Sequence, residues 1–262
     1  SRIAAGNPDR AEPGGGEAGG EALVHRSGED HLHDFHGLGG GAAAPAHELD
    51  LLLYEHAGSG QLSDLSAYGI VGEPIVGTIV SGGADVISFS GDKLLGSVQA
   101  GLIVGKRAIV DRLRRHPLYR ALRSDKLRLV SLEATLAAHL RGTAATEVPV
   151  IQMLSLTAEE VESRAKQLIE DASGTQLELT LLPGESAIGG GAGPTSNILT
   201  TLVALSHPRL TAQEIERSLR NSSPPVIGRI SEGKVLLDLR TVFPDELAEL
   251  VGALKSPDFQ VA

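Results

Sequence analysis

Lys93 is the residue whose surroundings indicate a reaction most directly. It ends the polar segment Ser90-Gly91-Asp92-Lys93, shortly after the apolar run Ala84-Asp85-Val86-Ile87. This order is typical of a strand that enters a turn, and open α/β sheets bind ligands at the carboxyl ends of their strands. A lysine in that position can form a Schiff base, most often with pyridoxal phosphate, an electron sink for amino-acid chemistry. The alternative is an ordinary lysine in a surface loop.

The same segment also satisfies the Ser-x-x-Lys pattern, which in serine β-lactamases supplies a nucleophilic serine. In this sequence the nucleophile would be Ser90. The companion motifs Ser-Asp-Asn and Lys-Thr-Gly are absent from the sequence. The pattern should also open a helix, whereas here it follows a predicted strand. The Schiff-base interpretation of Lys93 is therefore favoured.

Composition limits the other functions that the chain can have. Its 262 residues, 41% of them hydrophobic, suffice for one large or two ordinary domains. No apolar run approaches the roughly 18 residues of a membrane span, and no leader pattern opens the sequence, so we predict a cytoplasmic location without membrane insertion. The absence of cysteine excludes disulfides, thiolate zinc sites and cysteine nucleophiles.

Charge is distributed unevenly along the sequence. The net charge of −10 argues against nonspecific nucleic-acid binding by the chain as a whole. Residues 106–128 are the exception, because nine basic side chains face two acidic ones there and leave a local charge of +7. A solvated helix face can carry such a run, but the size of the excess indicates a polyanionic or phosphate-bearing partner nearby.

Histidines crowd the first fifty residues, and His31-Leu32-His33 followed by His36 could suggest a metal cluster. The same region contains several glycine runs and no apolar periodicity that would hold ligands in a rigid frame. We therefore predict no metal site, and we interpret residues 1–48 as a disordered or frame-shifted segment rich in Gly, Ala and His.

Strand and helix patterns alternate from Leu49 onward, which favours an α/β layer. The apolar runs that predict strands are residues 51–54, 85–89 and 100–104. The patterns that predict helices are residues 106–116, broken at Pro117, and 126–140. Residues 75–81 fit either a short helix or a strand. These elements would place Lys93 after the second of the three strands.

A smaller α+β part is predicted after a linker at residues 142–149. Its first helix begins at Thr157-Ala158-Glu159-Glu160, the pattern of a capping box, and another helix begins at Thr211. The predicted strands are residues 177–182, 197–205, 226–230 and 235–239. The domains would therefore be residues 49–143, which contain Lys93, and residues 149–262.

Three segments, residues 88–96, 99–106 and 116–126, closely resemble the bacterial selenocysteine synthases, the L-seryl-tRNA(Sec) selenium transferases. The resemblance continues through residues 132–136, 224–229 and 236–242. It implies a fold-type-I pyridoxal-phosphate enzyme, with a partial large domain at 49–143 and a small α+β domain at 149–262. It also implies conversion of seryl-tRNA(Sec) to selenocysteinyl-tRNA(Sec), with selenophosphate as the selenium donor, by a cytoplasmic homo-oligomer.

The resemblance also assigns roles to individual residues. Lys93 would form the Schiff base with pyridoxal phosphate and act as acid and base at the seryl α-carbon and hydroxyl. Ser90 would hydrogen-bond the cofactor phosphate. Arg120 and Arg123 match arginines that hold the anionic selenium donor, because a guanidinium binds phosphate oxygens in pairs. Their spacing predicts that both lie on one helical face. The alternative for the two arginines is surface salt bridging.

His56 is a departure from the family pattern. In the segment Tyr54-Glu55-His56-Ala57-Gly58-Ser59-Gly60 the family normally has aspartate at the third position, beneath the cofactor ring. The aspartate keeps the pyridine nitrogen protonated, whereas a neutral imidazole supports a pyridinium less well. We therefore count His56 among the cofactor-binding residues and predict impaired chemistry. Ser97-Val98 likewise replaces a Gly-Pro pair.

Two other functions stay open. The family's N-terminal tRNA-binding domain and cofactor-phosphate loop are not recognisable before residue 50, so the chain could be an inactive truncated remnant. It could also be a related pyridoxal-phosphate lyase that acts on a small anionic amino compound. A remnant should show no Schiff-base absorbance with the cofactor, whereas a lyase should show it and turn over a small free substrate.

Overall fold

A computed structural model describes residues 3–4, 21–26, 32–36, 43–189, 196 and 198–260, and the first three ranges as backbone alone. The segment 1–48, predicted to be disordered or frame-shifted, therefore lies mostly outside the described residues. Its last part is a described helix, Ala43–Glu48, that precedes the predicted start of ordered structure at Leu49. Two of its residues, Ala43 and Ala46, are buried in the core.

The secondary structure is mixed. The described strands are β1 (Ile3–Ala4), β2 (Glu21–Arg26), β3 (Leu32–His36), β4 (Leu51–His56), β5 (Val86–Ser90), β6 (Gly101–Gly105), β7 (Glu178–Ser186), β8 (Ile198–Ser206), β9 (Val226–Ile227), β10 (Arg229–Ser231) and β11 (Lys234–Asp238). The described α-helices are α1 (Ala43–Glu48), α2 (Val76–Ser81), α3 (Arg107–Arg115), α4 (Pro117–Ala121), α5 (Lys126–Arg141), α6 (Ala144–Glu147), α7 (Pro149–Ser155), α8 (Ala158–Asp171), α9 (Ala212–Asn221) and α10 (Leu247–Leu254). None of these described helices is long and apolar enough to cross a membrane.

The chain divides into two compact units. The lysine unit comprises Gly14–Gln152 and Ile188–Ser196. The C-terminal unit comprises Ser1–Pro13, Met153–Ala187 and Asn197–Ala262. The boundary between Gln152 and Met153 falls within α7, whereas the sequence predicted a linker at 142–149. In the structure, residues 142–149 contain α6 and the buried Val148.

The lysine unit is built on a five-stranded sheet in the order β3-β2-β4-β5-β6. The central pair β4 and β5 is parallel, and the other neighbouring strands are antiparallel. Ile87 and Phe89 of β5 are buried, whereas the residues between and beside them are partly exposed, because successive side chains of a strand point to opposite faces. The buried face packs against α1 and α2 in one apolar cluster.

The helices that follow the sheet begin and end where local sequence requires it. α3 ends at Arg115 because Pro117 cannot continue its hydrogen bonds. α5 begins after Asp125, whose carboxylate accepts from the Arg128 N–H at 3.0 Å, and it ends at Gly142 with a left-handed φ of 74°. The predicted helices at 106–116 and 126–140 are thereby confirmed as α3 and α5.

Asp85, immediately before β5, connects several elements of the lysine unit. Its buried carboxylate accepts from the Leu53 N–H of β4 at 2.7 Å and from His47 Nε2 of α1 at 3.0 Å, and it pairs with Lys106 before α3. Burial by itself would raise the pKa of Asp85, but the hydrogen bonds from Lys106, Leu53 and His47 outweigh burial and hold that pKa below its usual value.

The C-terminal unit contains an antiparallel sheet in the order β10-β11-β8-β7. Helices α8, α9 and α10 contribute side chains to one apolar cluster with β8 and β11. The predicted capping box at Thr157 and Glu160 is confirmed, because each side chain accepts from the other residue's N–H, at 3.2 Å and 2.8 Å. Thr211 caps α9 in the same way with Glu214.

Arg240 is the centre of a buried polar network in this unit. Its guanidinium donates to Ser186 Oγ at 3.0 Å, to the Leu199 carbonyl at 2.8 Å and to the Met153 carbonyl at 3.2 Å. Ser186 in turn donates to Asp238 at 2.6 Å. Burial lowers the pKa of Arg240, and the neighbouring Asp238 opposes that shift. The guanidinium thereby joins the Met153 carbonyl of α7 to the Leu199 carbonyl of β8.

Candidate active site around Lys93

Lys93 lies in the turn that follows β5, as the sequence predicted. The two residues after it, Leu94 and Leu95, are fully buried and anchor the turn in the core. The Leu94 N–H donates to the Ser59 carbonyl at 2.9 Å, and the Gly96 N–H donates to the Lys93 carbonyl at 2.9 Å. The backbone of Lys93 is thus held on both sides while its side chain stays half-exposed.

Two glycines allow the backbone segments around Lys93 to approach closely. Gly60 has a φ of 70°, and a Cβ at this position would lie 2.5 Å from the Ser90 carbonyl oxygen. Gly96 has a φ of 76°, and a Cβ there would lie 2.4 Å from a methyl group of Val148. Both positions therefore require glycine for conformation and for space. They let the Gly58–Gly60 segment lie against the Ser90 backbone and the Lys93 turn lie against the Val148 side chain.

His56 lies at the end of β4 and faces the same space as Lys93. A methyl group built on Gly58 would lie 3.4 Å from His56 Nε2 and 3.9 Å from Lys93 Nζ. The two nitrogens therefore flank one small space above Gly58, which a side chain at this position would enter. A primary amine and an imidazole that border the same space are suited to hold an aromatic aldehyde.

Tyr54 and Ser88 complete this group, although the sequence did not single them out. Ser88 Oγ lies 2.9 Å from His56 Nδ1 and 2.6 Å from the Tyr54 hydroxyl. The three side chains meet because β4 and β5 are parallel neighbours, with His56 opposite Ser88 and Tyr54 opposite Val86. Alternation along β4 predicts that Tyr54 and His56 share a face, but only the pairing with β5 brings Ser88 to them.

Glu55 is the carboxylate nearest to His56 along the chain, but it points to the opposite face of β4. It is buried together with Leu53 on the core side of the strand. Burial raises the pKa of Glu55. Because adjacent residues of a strand project to opposite faces, this carboxyl group does not take the place of the aspartate expected at position 56.

Buried oxygen atoms near the turn have no hydrogen-bond partner among the described residues. Ser59, 4% exposed, and Gln61, 2% exposed, each leave a side-chain oxygen unpaired, and Ser97 Oγ is also buried without a partner. A buried polar atom without a partner costs about 1–3 kcal/mol. These atoms, two on the Gly58–Gln61 segment and one after the Lys93 turn, are therefore available to a bound polar molecule.

Ser90 ends β5, two residues after Ser88, and is half-buried on the same side of the strand. Arg120 lies in α4, whereas Arg123 lies beyond the end of that helix. The prediction that one helical face carries both arginines was therefore wrong. α4 ends at Ala121, and Asp125 already caps the next helix. Both arginines are exposed and make no ion pair with any described residue.

The basic segment 106–128 keeps most of its charge free. Lys106 pairs with Asp85 and Arg128 pairs with Asp125. The arginines of α3 are exposed and form no ion pair within the described part of the chain. Large apolar side chains of the same segment are also exposed, including Leu122 at 79% and Leu127 at 81%. This surface combines positive charge with apolar area, which is unusual for a solvent-facing helix.

No group of three or more histidine and carboxylate side chains among residues 43–189, 196 and 198–260 is arranged to hold a metal ion. The side chains of His31, His33 and His36, which raised the question of a metal cluster, lie outside the described residues.

Comparison with known sequences places these residues in a wider context. A family model described as L-seryl-tRNA selenium transferase matches residues 41–243. The L-seryl-tRNA(Sec) selenium transferase of Geobacter sulfurreducens is 46% identical over 212 residues, which are 79% of this chain and 46% of that protein. The enzyme of the same name from Nitratidesulfovibrio vulgaris is 41% identical over 210 residues, 79% of this chain and 45% of that protein. The chain spans about half the length of the curated relatives it matches.

Among solved structures, that of D-glucosaminate-6-phosphate ammonia-lyase matches with a TM-score of 0.51 and 21% sequence identity. The match covers 82% of this chain and 51% of the lyase chain. At this level of identity the likeness concerns the fold alone. It confirms the predicted α/β fold.

Proposed function

Because the chain belongs to the L-seryl-tRNA selenium transferase family, we propose that it carries the lysine and donor sites of an enzyme that makes selenocysteinyl-tRNA(Sec) from seryl-tRNA(Sec) and selenophosphate. One observation in this chain supports the proposal most directly. Lys93 Nζ and His56 Nε2 flank a single space above Gly58, at the end of two parallel strands. This is the position at which α/β sheets bind their ligands.

The residues around that space suit pyridoxal phosphate. Lys93 Nζ would bind the aldehyde carbon, Ser90 Oγ would donate to the phosphate, and His56 would contact the ring. The unpaired buried oxygen of Ser59 supports a polar ligand in this region. When bound, the cofactor supplies an electron sink for charge that develops at the substrate α-carbon. Lys93, once released, would move the proton between the seryl α-carbon and the leaving hydroxyl oxygen.

Arg120 and Arg123 would hold the selenium donor. Both guanidinium groups are exposed and unpaired within the described residues, so neither has to leave a carboxylate before it binds an anion. A guanidinium presents two parallel N–H groups, which match two oxygens of a selenophosphate. The excess of positive charge in residues 106–128 would raise the local concentration of anionic substrates, including tRNA.

The remaining assignments follow from the same proposal. Residues 49–143 would form part of the cofactor-binding large domain, and residues 149–262 the small domain. The exposed Leu118, Leu122 and Leu127 would be covered in a homo-oligomer, because apolar side chains of this size cost free energy in water. The enzyme would act in the cytoplasm.

Cofactor titration of the purified chain tests this proposal. We expect visible absorbance of a lysine-bound cofactor in the wild type and none in Lys93→Ala. Borohydride reduction followed by peptide mass spectrometry should find the cofactor on Lys93. The matched control is Lys166→Ala on α8, which should leave the absorbance unchanged. Absence of absorbance in the folded wild-type chain would instead identify an inactive remnant.

Substrate assays separate the selenium transferase from the lyase. The first assay supplies seryl-tRNA(Sec) and selenophosphate and measures selenocysteinyl-tRNA(Sec). The second supplies small anionic amino compounds, with D-glucosaminate 6-phosphate as the first, and measures ammonia release. Product in the first assay alone supports the proposal, whereas turnover in the second alone would replace it with a lyase function.

A further inference from the structure

We infer that Tyr54 and Ser88 are positioning residues, which orient the His56 ring and, in its neutral form, place the proton on Nε2, directed toward the Lys93 site. In that form His56 would donate a hydrogen bond to the ring nitrogen of the cofactor, where an aspartate would accept one. The identity of the acceptor rests on the proposed function. The orientation and tautomer of the imidazole are properties of the chain itself.

The geometry of β4 and β5 fixes the orientation of the ring. His56 Nδ1 lies 2.9 Å from Ser88 Oγ on the neighbouring strand, so Nδ1 is turned toward the sheet. Nε2, on the other side of the ring, lies next to Gly58 and the space shared with Lys93 Nζ. A flip of the ring about its Cβ–Cγ bond would break the hydrogen bond to Ser88. The protein therefore presents one defined nitrogen to that space.

The hydroxyl groups fix the tautomer. Ser88 Oγ has one proton and lies within hydrogen-bond distance of both His56 Nδ1 and the Tyr54 hydroxyl. A phenol is a stronger donor and a weaker acceptor than an aliphatic alcohol, so Tyr54 donates to Ser88. Ser88 Oγ has no third hydrogen-bond partner among the described residues, so its own proton is used only if it is donated to Nδ1. Nδ1 is therefore an acceptor, and the proton of the neutral ring lies on Nε2.

This tautomer determines what the ring nitrogen of the cofactor can be. An ionised carboxylate only accepts hydrogen bonds, so a pyridine nitrogen that contacts it must carry a proton. An Nε2–H group only donates, so a nitrogen that contacts it must offer a lone pair. The chain would therefore hold the cofactor ring unprotonated and less electron-withdrawing. The substitution at position 56 thus changes the charge of the bound ring as well as the residue beneath it.

Nuclear magnetic resonance of the cofactor-free chain tests the tautomer without any assumption about function. The ring ¹⁵N shifts of His56, assigned by comparison with His56→Gln, should show the proton on Nε2 in the wild type. Ser88→Ala should produce a mixture of tautomers, and Ser88→Thr, which restores a hydroxyl, should recover the wild-type shifts. Tyr54→Phe should cause a smaller change in the same direction. The matched control Tyr68→Phe should cause none.

Two results would overturn the inference at this stage: a proton on Nδ1 in the wild type, or wild-type shifts in both Ser88→Ala and Tyr54→Phe. The amide spectrum of each variant reports whether it has folded. If Ser88→Ala does not fold, Tyr54→Phe carries the test, because it removes one hydroxyl and leaves the carbon framework unchanged.

A second experiment uses pyridoxal phosphate labelled with ¹⁵N at its ring. We expect an unprotonated ring nitrogen in the wild type and a protonated one in His56→Asp. A protonated nitrogen in the wild type would overturn the proposed hydrogen bond. Failure of the wild type to bind the cofactor would overturn the proposed function and with it the identity of the acceptor, while the tautomer measured in the cofactor-free chain would stand.

Discussion

Replacement of Asp85 by asparagine should destabilise the lysine unit by about 2 kcal/mol. The carboxylate is buried and accepts from Leu53, His47 and Lys106. Asparagine keeps an acceptor for the Leu53 N–H but loses the charge that attracts the two basic side chains. Those side chains are 39% and 57% exposed, so they return to water and no buried charge is left unpaired. The loss of ~3–5 kcal/mol in stability that follows when a buried ion pair is broken therefore does not apply here.

The effect of the substitution should depend on pH. The folded-state pKa of Asp85 is lowered, so the charged carboxylate contributes its full stability above the unfolded-state pKa of about 3.9. This contribution is lost as the pH falls through the lower folded-state pKa. The difference between the wild type and Asp85→Asn should therefore be present at neutral pH and shrink as the pH falls below about 4.

Urea unfolding followed by tyrosine fluorescence measures this difference in the lysine unit alone. The chain has three tyrosines and no tryptophan, and Tyr54, Tyr68 and Tyr119 all lie in that unit. The control is Asp111→Asn on α3, whose carboxylate makes no hydrogen bond or ion pair within the described part of the chain. A loss below ~0.5 kcal/mol, within the range of ordinary surface substitutions, would refute the role given to Asp85. So would a loss that is the same at pH 3 and pH 7.

Three further predictions concern individual side chains. Gly60→Ala should lower the free energy of unfolding of the lysine unit by about 2–3 kcal/mol, because a left-handed φ is strained for alanine and its Cβ would press on the Ser90 carbonyl. Urea unfolding should show this loss, and cofactor absorbance should fall as the Lys93 turn moves. Arg120→Lys should raise the KM for selenophosphate about tenfold, which corresponds to a loss of ~1.4 kcal/mol in binding free energy, and should leave the KM for the aminoacyl-tRNA unchanged. The control Arg114→Lys on α3 should leave the KM for selenophosphate unchanged. Arg240→Leu should destabilise the C-terminal unit by about 3–5 kcal/mol, because it leaves the Met153 and Leu199 carbonyls without their donor and removes the positive charge near Asp238; thermal unfolding by far-ultraviolet circular dichroism measures this, and a change under ~1 kcal/mol would contradict the network described for Arg240.

The parts of the fold that depend on neighbouring residues could be predicted from the sequence. The capping box at Thr157 needs only Glu160, three residues later, and the end of α3 needs only Pro117. The strand before Lys93 and the turn that contains it also follow from a short run of residue types. Hydrogen bonds and steric limits within one or two turns of chain decide such features, so they can be read without knowledge of the tertiary fold.

Short elements were the ones that local patterns missed. Helices α4, α6 and α7 have five, four and seven residues, too few for an apolar period to appear. The sequence consequently predicted a linker at 142–149 and a single helical face for Arg120 and Arg123. In the structure Val148, which lies within the predicted linker, is buried. The helix that carries Arg120 ends before Arg123.

The sequence by itself determined which residues of the candidate site can do chemistry, because Lys93, Ser90 and His56 are recognisable from residue type and order. Only the tertiary structure decided how they are oriented. The contact between His56 and Ser88 depends on the parallel register of β4 and β5. The ion pair of Asp85 with Lys106 depends on the position of the segment before α3 relative to the residue before β5. A shift of one residue in that register would turn His56 to the opposite face from Ser88, and no local preference along either strand specifies the pairing.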